Sequence, residues 1–238
     1  MLFYLLGVKI SNHKKKYNPE SKSEGIGPLE GALLGLLSLL LSFTFGMSAS
    51  RYDARRSLIV QESNDIGSVI SLCDMYSDST RTVLRKDLKE YVDTRISYYN
   101  TTEDEVMNNS IIKSQQISSK LWESIIVLSK QKPDFTRDNQ MITAFCKMTD
   151  IVTSRDASRL AKVPELIVFL LIILTIIGAF IVGYGKKTKK NDWIIIALYS
   201  IMTVLTIYTI LDLDRPKRGI IKTNIPHEKI IELKNIFE

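Results

Sequence analysis

The side chains able to do chemistry are few and poorly placed for catalysis. The only two histidines lie near the termini, His13 within a basic stretch and His227 close to the C-terminus. No His-Glu-x-x-His, phosphate-cradling glycine loop, Gly-x-Ser-x-Gly or Cys-x-x-Cys occurs, so the familiar hydrolase, nucleotide and redox constellations lack their parts. The chain therefore reads as a non-enzyme with no cofactor and no metal site. Cys73 and Cys146 are too far apart in sequence to define a motif; buried thiols explain them more simply than a disulfide or metal ligands. The basic cluster Arg51, Arg55 and Arg56 follows an apolar run. Such a cluster concentrates anions by its field, and it equally describes a solvated, positively flanked helix end. Asp212 and Asp214 suit capping or pairing with Arg215 as well as they suit ligation.

The elements that must position these groups are written in the segregation of charge. Hydrophobic residues make up 45% of the chain and the net charge is +6, averages that suit a soluble domain and conceal its organisation. Gly31–Ala49, Leu166–Gly185 and Trp193–Leu211 contain no Asp, Glu, Lys, Arg or His. At about 1.5 Å per residue each covers roughly 30 Å, the hydrocarbon thickness of a bilayer. A core helix seldom stays uncharged on every face for so long, so all three read as membrane spans. No ionisable residue lies inside them, which argues against a proton pump or ion-coupled carrier.

The expected organisation is an all-α integral membrane protein with about three full transmembrane helices and a four-helix soluble insert continuous with the first span. Residues 1–27 form a basic N-terminal segment with a truncated apolar start, too short to span and in the wrong order for a signal peptide. Residues 28–50 form a transmembrane helix and 51–162 the insert. Residues 163–211 form a transmembrane hairpin, and 212–238 a polar C-terminal tail.

Between Gly67 and Pro133 the insert has neither glycine nor proline, which is unusual for strands joined by tight turns. Apolar residues recur at helical spacing: Ile59, Ile66, Ile70, Cys73; Leu84, Leu88, Val92, Ile96; Ile117, Leu121, Ile125, Leu128; and Ile142, Phe145, Thr149, Val152. Breaks fall at Ser77–Ser79, at Asn100–Glu103 with Thr102 as a capping residue, and at Pro133-Asp134. Because nothing breaks the chain between the first span and Gly67, that span continues into the insert as one rod. Lys and Arg number 17 against 16 Asp and Glu over 51–162, so nucleic acid has no electrostatic footprint here.

The stretch FTFGMSASRYDARRSLIVQESNDIG (43–67) resembles the signature of the bacterial bestrophin-like membrane proteins. EGIGPLEGALLGLLSLLLSF (24–43), LKEYVDTRI (88–96) and ILDLDRPKRGII (210–221) are similar to other parts of that family, in the same order. Phe43 and Gly46, followed by Ser48, Arg51, Ala54 and Arg55, also resemble the pore-lining helix of the bestrophins, which are pentameric anion channels. The resemblance implies a homo-oligomer in the bilayer, a pentamer on that pattern, with chloride or another small anion as the permeating partner. It further implies a hydrophobic neck at Leu39, Phe43 and Met47, whose i, i+4, i+8 spacing places them on one helix face, with Arg51, Arg55 and Arg56 at the pore mouth. A narrow apolar neck gates ions by dewetting; the same residues also suit plain packing against helices or lipid. Met47 departs from the aromatic usual at the third neck position in animal bestrophins. Their acidic calcium cluster has no equivalent here.

Gly35, Ser38, Ser42, Gly46 and Ser50, mostly at four-residue steps, suit close approach of another helix. Orientation is nearly balanced by charge. Lys9, Lys14, Lys15, Lys16 and Lys22 with Lys186, Lys187, Lys189 and Lys190 mark one side as cytoplasmic by the positive-inside rule. On the other side stand the arginines beside the insert and the basic residues after Asp214. The resemblance implies a bacterial inner-membrane protein with the insert in the cytoplasm. Two functions remain open: an anion channel, or a non-conducting scaffold or sensor whose insert binds a partner.

Overall fold

The computed structural model describes residues 1–17, 26–185, 193–215, 219–221 and 224–237. Lys22, the Lys186–Lys190 group, Lys217, Arg218 and Lys222 lie outside them. The described helices are α1 (Leu2–Tyr17), α2 (Ile26–Leu72), α3 (Asp78–Asn100), α4 (Asp104–Gln131), α5 (Phe135–Leu160), α6 (Glu165–Tyr184), α7 (Trp193–Leu213) and α8 (Asn224–Glu232). Short 3₁₀ turns follow at Cys73–Met75 and Leu233–Phe237, and no strand occurs among the described residues. Three helices are long and apolar enough to cross a membrane.

The expected rod is present. Helix α2 runs unbroken through 47 residues, about 70 Å at the α-helical rise. Its proline, Pro28, sits in the first turn, where a missing backbone N–H costs nothing. The chain divides into two units, 1–50 with 162–215 and 51–161 with 216–238, and the division falls within α2.

In the first unit, α1 lies directly against α6. A Cβ added at Gly7 would collide with the backbone carbonyl of Phe180, and one at Gly183 with that of Tyr4. These two glycines permit backbone-to-backbone contact, as small residues do between membrane helices. Residues 2–17, expected as a short basic segment, therefore form a helix that shares the packing of a span. Gly183→Ala is expected to separate α1 from α6, because backbone cannot move aside as a side chain does. The overpacking cost is about 1–3 kcal/mol, visible as a lower melting temperature in detergent and faster proteolysis of the N-terminal segment. Elsewhere in this unit, the Asp214 carboxylate accepts a hydrogen bond at 2.8 Å from the Val163 backbone N–H, and a Cβ added at Gly178 would lie 3.6 Å from the Leu34 side chain. Asp214 thus ties the residue two before the start of α6 to the end of α7.

In the second unit the expected stripes converge on one core containing Ile59, Ile66, Ile70, Leu84, Leu88, Val92, Ile117, Leu121 and Ile125. Helix α5 is the exception. Its buried face is Met141, Phe145, Met148 and Ile151 rather than Ile142, Phe145, Thr149 and Val152. Adjacent apolar pairs, Met141-Ile142 and Ile151-Val152, fit a helical period in either of two registers, and packing chose between them. Breaks occur where expected. Asp134 caps α5 by accepting from the Arg137 N–H at 3.0 Å. At the start of α4 the N-cap residue is Glu103 rather than Thr102, and it makes no side-chain capping bond; the Thr101 hydroxyl takes the Glu103 N–H at 3.1 Å in the turn just before the helix.

The C-terminal residues differ from the expected polar tail. Residues 224–237 are helical, and they bury Ile230 and Leu233 in the insert core. Ser63 donates to the Lys229 carbonyl at 2.7 Å, and Lys234 pairs with Asp93 at 2.7 Å. Apolar residues at 230 and 233, three apart on one helical face, were the sequence signal for this docking.

Both cysteines are free; Cys73 is buried and Cys146 exposed, so only the first is the buried thiol expected. Burial pushes the Cys73 thiol up to about 12. A maleimide is expected to label native protein once, at Cys146, and twice after denaturation, as intact mass will show. Two labels on the native protein would contradict the buried position of Cys73.

Candidate functional site

Helix α2 carries all six sequence-predicted site residues, and the structure treats them differently. Leu39, Phe43 and Met47 are 53%, 66% and 37% exposed, while Leu37, Thr44 and Ser48 on the opposite side are buried. Gly35, Ser38, Ser42, Gly46 and Ser50 are exposed as well, and a Cβ at Gly35 or Gly46 would meet nothing within 4 Å. The neck candidates and the small-residue stripe therefore share a continuous bare surface of α2. An apolar surface of this size is a place for lipid or for other helices.

The three basic candidates separate. Arg51 and Arg56 are partly exposed, and Arg56 lies 5.7 Å over the Tyr52 ring and 3.8 Å from Asp53. Arg55 is turned inward at 6% exposure. Its Nε donates to the Ser158 carbonyl at 3.1 Å and its Nη2 to the Ala161 carbonyl at 2.7 Å. These carbonyls belong to the C-terminal end of α5, where the backbone lacks intrahelical donors and the helix dipole favours a cation.

Seven residues further along α2 lies the group that sequence reasoning missed. Glu62 is completely buried. Its Oε1 accepts from Arg95 Nε at 2.6 Å. Its Oε2 accepts from the Tyr99 hydroxyl at 2.9 Å and from Arg155 Nη1. Arg95 also reaches the Tyr99 hydroxyl at 3.3 Å. The two guanidinium groups lie over tyrosine rings, Arg95 at 4.9 Å from Tyr98 and Arg155 at 4.3 Å from Tyr99. One carboxylate thus joins α2, α3 and α5, and each of its oxygens is satisfied. The signal was present: Glu62 follows Ile59 by three, Arg95 follows Val92 by three, and Arg155 follows Ile151 by four. Charges of complementary sign therefore stand on the apolar stripes of three helices. Glu62 and Arg95 also fall within QESNDIG and LKEYVDTRI, two of the segments that carry the family resemblance.

Burial alone would raise the Glu62 carboxyl, but attraction to Arg95 and Arg155 and their hydrogen bonds outweigh it, so its pKa lies below the ordinary 4.5. A depressed folded-state pKa means the contribution is complete above the unfolded value and lost as pH falls through the folded one. The insert is therefore expected to weaken as pH drops below about 4.5, and Glu62→Gln to flatten that part of the acid denaturation curve. Burial pushes the neighbouring Tyr91 hydroxyl up to about 12.

Three helices long and apolar enough to cross a membrane, with a helical insert between the first two, define a multi-pass α-helical membrane protein. The Bestrophin-like domain family matches residues 15–224, and the chain belongs to that family. Solved structures show the same fold. A single-substitution variant of a bacterial bestrophin homologue from Klebsiella pneumoniae is similar with a TM-score of 0.71 at 10% identity, covering 98% of each chain. A second structure of a bacterial bestrophin homologue from the same organism gives 0.68 at 12% identity, again over 98% of each chain. A variant described only as a membrane protein gives 0.68 at 11%, covering 98% of this chain and 97% of that one. Among curated proteins none matches.

Proposed function

We propose that this protein is a homo-oligomeric channel, a pentamer on the bestrophin pattern, that passes chloride or another small anion. In this reading α2 lines the axis, and Leu39, Phe43 and Met47 form a dewetting neck. The observation that carries it is the bare half of α2, where three large apolar side chains and a row of small residues share a surface that no helix of its own unit covers. Self-association is the economical cover for such a surface: the small residues admit a neighbouring helix and the large ones face the axis. Arg51 and Arg56 supply positive field near the apolar stretch, and Arg55, although held on the α5 carbonyls, adds its charge to theirs. The protein sits in the bacterial inner membrane with the insert in the cytoplasm.

The test is to reconstitute purified oligomer of measured mass into liposomes and follow chloride efflux and bi-ionic reversal potentials. A ring of defined size with chloride flux supports the reading. A monomer, a flux confined to cations or no flux at all sinks it. Labelling of Cys146 by an impermeant maleimide in spheroplasts but not in inverted vesicles would overturn the cytoplasmic placement.

A further inference from the structure

We propose that α1 carries a binding surface for anionic phospholipid, in which the ammonium groups of Lys9, Lys14 and Lys16 take the lipid phosphate beside the C-terminal end of α6. The proposal concerns the first unit alone and is independent of any role of α2 as a pore lining.

Helix α1 changes character along its length. Residues 2–6 are apolar, and Lys9, Lys14, Lys15 and Lys16 follow. Residues 1–17 contain no Asp or Glu, so nothing within α1 cancels that charge. Its two sides differ as well. Tyr4, Gly7 and Ser11, at steps of three and four, are buried, and the backbone at Gly7 and Tyr4 meets that of α6. Leu2, Leu6, Lys9, His13 and Lys16, at steps of 4, 3, 4 and 3, are exposed. At 100° per residue this second line lies about 160° from the first. One exposed face therefore begins apolar and ends cationic. Acyl chains suit its first half and phosphates its second, with the lysine stems bridging the two.

Helix α6 sets the level at which the change occurs. After Glu165 it has no charged residue, and it ends at Tyr184, a residue type that gathers at the headgroup level where membrane spans end. Lys14 Nζ donates to the Tyr184 hydroxyl at 3.2 Å and lies 5.9 Å from the centre of its ring, within cation–π range. The basic end of α1 thus stands where the apolar run of α6 stops. Lys9 is about 7 Å earlier along the helix axis and reaches the same level through its flexible stem. The sequence adds Lys186, Lys187, Lys189 and Lys190 within six residues of Tyr184. Among the described residues Lys9, Lys14 and Lys16 pair with no carboxylate, and all three are exposed. Phosphatidylcholine balances its phosphate with its own ammonium, whereas phosphatidylglycerol keeps a net negative charge. Each basic side chain near such a surface raises affinity about fivefold, so the surface selects the anionic lipid.

The experiment uses the full chain in a non-ionic detergent, offered phosphatidylglycerol and phosphatidylcholine of matched acyl chains in equal amounts. Bound lipid is counted by native mass spectrometry. The parent is expected to prefer phosphatidylglycerol by about fivefold or more. Lys9→Gln, Lys14→Gln and Lys16→Gln together are expected to remove the preference, and the three corresponding Lys→Arg changes to keep it. Should loss of Lys14 loosen α1 from Tyr184, Lys9→Gln with Lys16→Gln leaves that contact in place and is expected to lower the preference part of the way. Lys86→Gln, Lys89→Gln and Lys130→Gln remove the same charge from exposed positions of the insert and are expected to change nothing. Equal binding of both lipids by the parent overturns the proposal, as does an equal loss in the insert variant, which would trace the preference to net charge. Displacement of phosphatidylglycerol by excess glycerol phosphate would reveal a site for free phosphate instead, and also overturns it.

Discussion

Glu62→Gln is expected to destabilise the insert by about 3–5 kcal/mol, because it leaves two guanidinium groups in the core without a counter-charge. Gln has nearly the same volume and can still accept from one arginine, so little of the loss comes from packing. The cost arises because Arg95, almost wholly buried, has given up its hydration, and Glu62 is the one counter-charge it meets among the described residues, beside the Tyr99 hydroxyl and the Tyr98 ring. Arginine does not escape by losing its proton. Arg155 retains 12% side-chain exposure and can turn partly toward water, which places the effect toward the lower end of that range. The triple replacement Glu62→Leu, Arg95→Met and Arg155→Leu is expected to be close to neutral, since it removes the charges together. Thermal melts in detergent of the single and triple variants provide the check. A single variant as stable as the parent would mean that the three side chains do not form the closed network described.

Phe43→Ala is expected to give the largest functional effect. With two thirds of its surface uncovered, Phe43 supports little of the packing within its own chain, and its truncation should leave folding nearly unchanged. Around an axis, the same truncation is repeated in every subunit and widens the narrowest apolar ring. A wider neck holds water more readily, and the dewetting barrier falls. Chloride efflux from liposomes should therefore rise above that of the parent. Phe45→Ala is the control, a truncation of equal size on a residue about 160° further round the helix by the 100° step. Equal flux in parent and Phe43→Ala would remove the neck from the proposal, and equal increases in both variants would trace the effect to general loosening.

Much of this architecture was legible in one dimension. The three charge-free runs are membrane-length because lipid offers no partner for charge or for an open backbone. The continuity of α2 was readable because no residue between Pro28 and Leu72 compels a break. The insert helices and their ends followed from apolar spacing and from Pro133-Asp134 and Asn100–Glu103. Resemblance carried the family, and the match over 15–224 bears it out.

What sequence left undecided shares one physical cause: several partners or rotations satisfy the same local pattern. The register of α5 was ambiguous because Met141-Ile142 and Ile151-Val152 each offer two apolar candidates, and only the opposing α2, α3 and α4 surfaces select one. Arg55 looked like a solvated charge until the end of α5 supplied its two acceptors, 103 and 106 residues away. Glu62, Arg95 and Arg155 were three unremarkable charges until packing brought them to one point. Local rules act over a helical turn and so determine spans, helices and breaks from sequence alone. Which buried charge meets which, and which face of α2 is left bare, depends on contacts between residues far apart in the chain, and only the tertiary structure decided it.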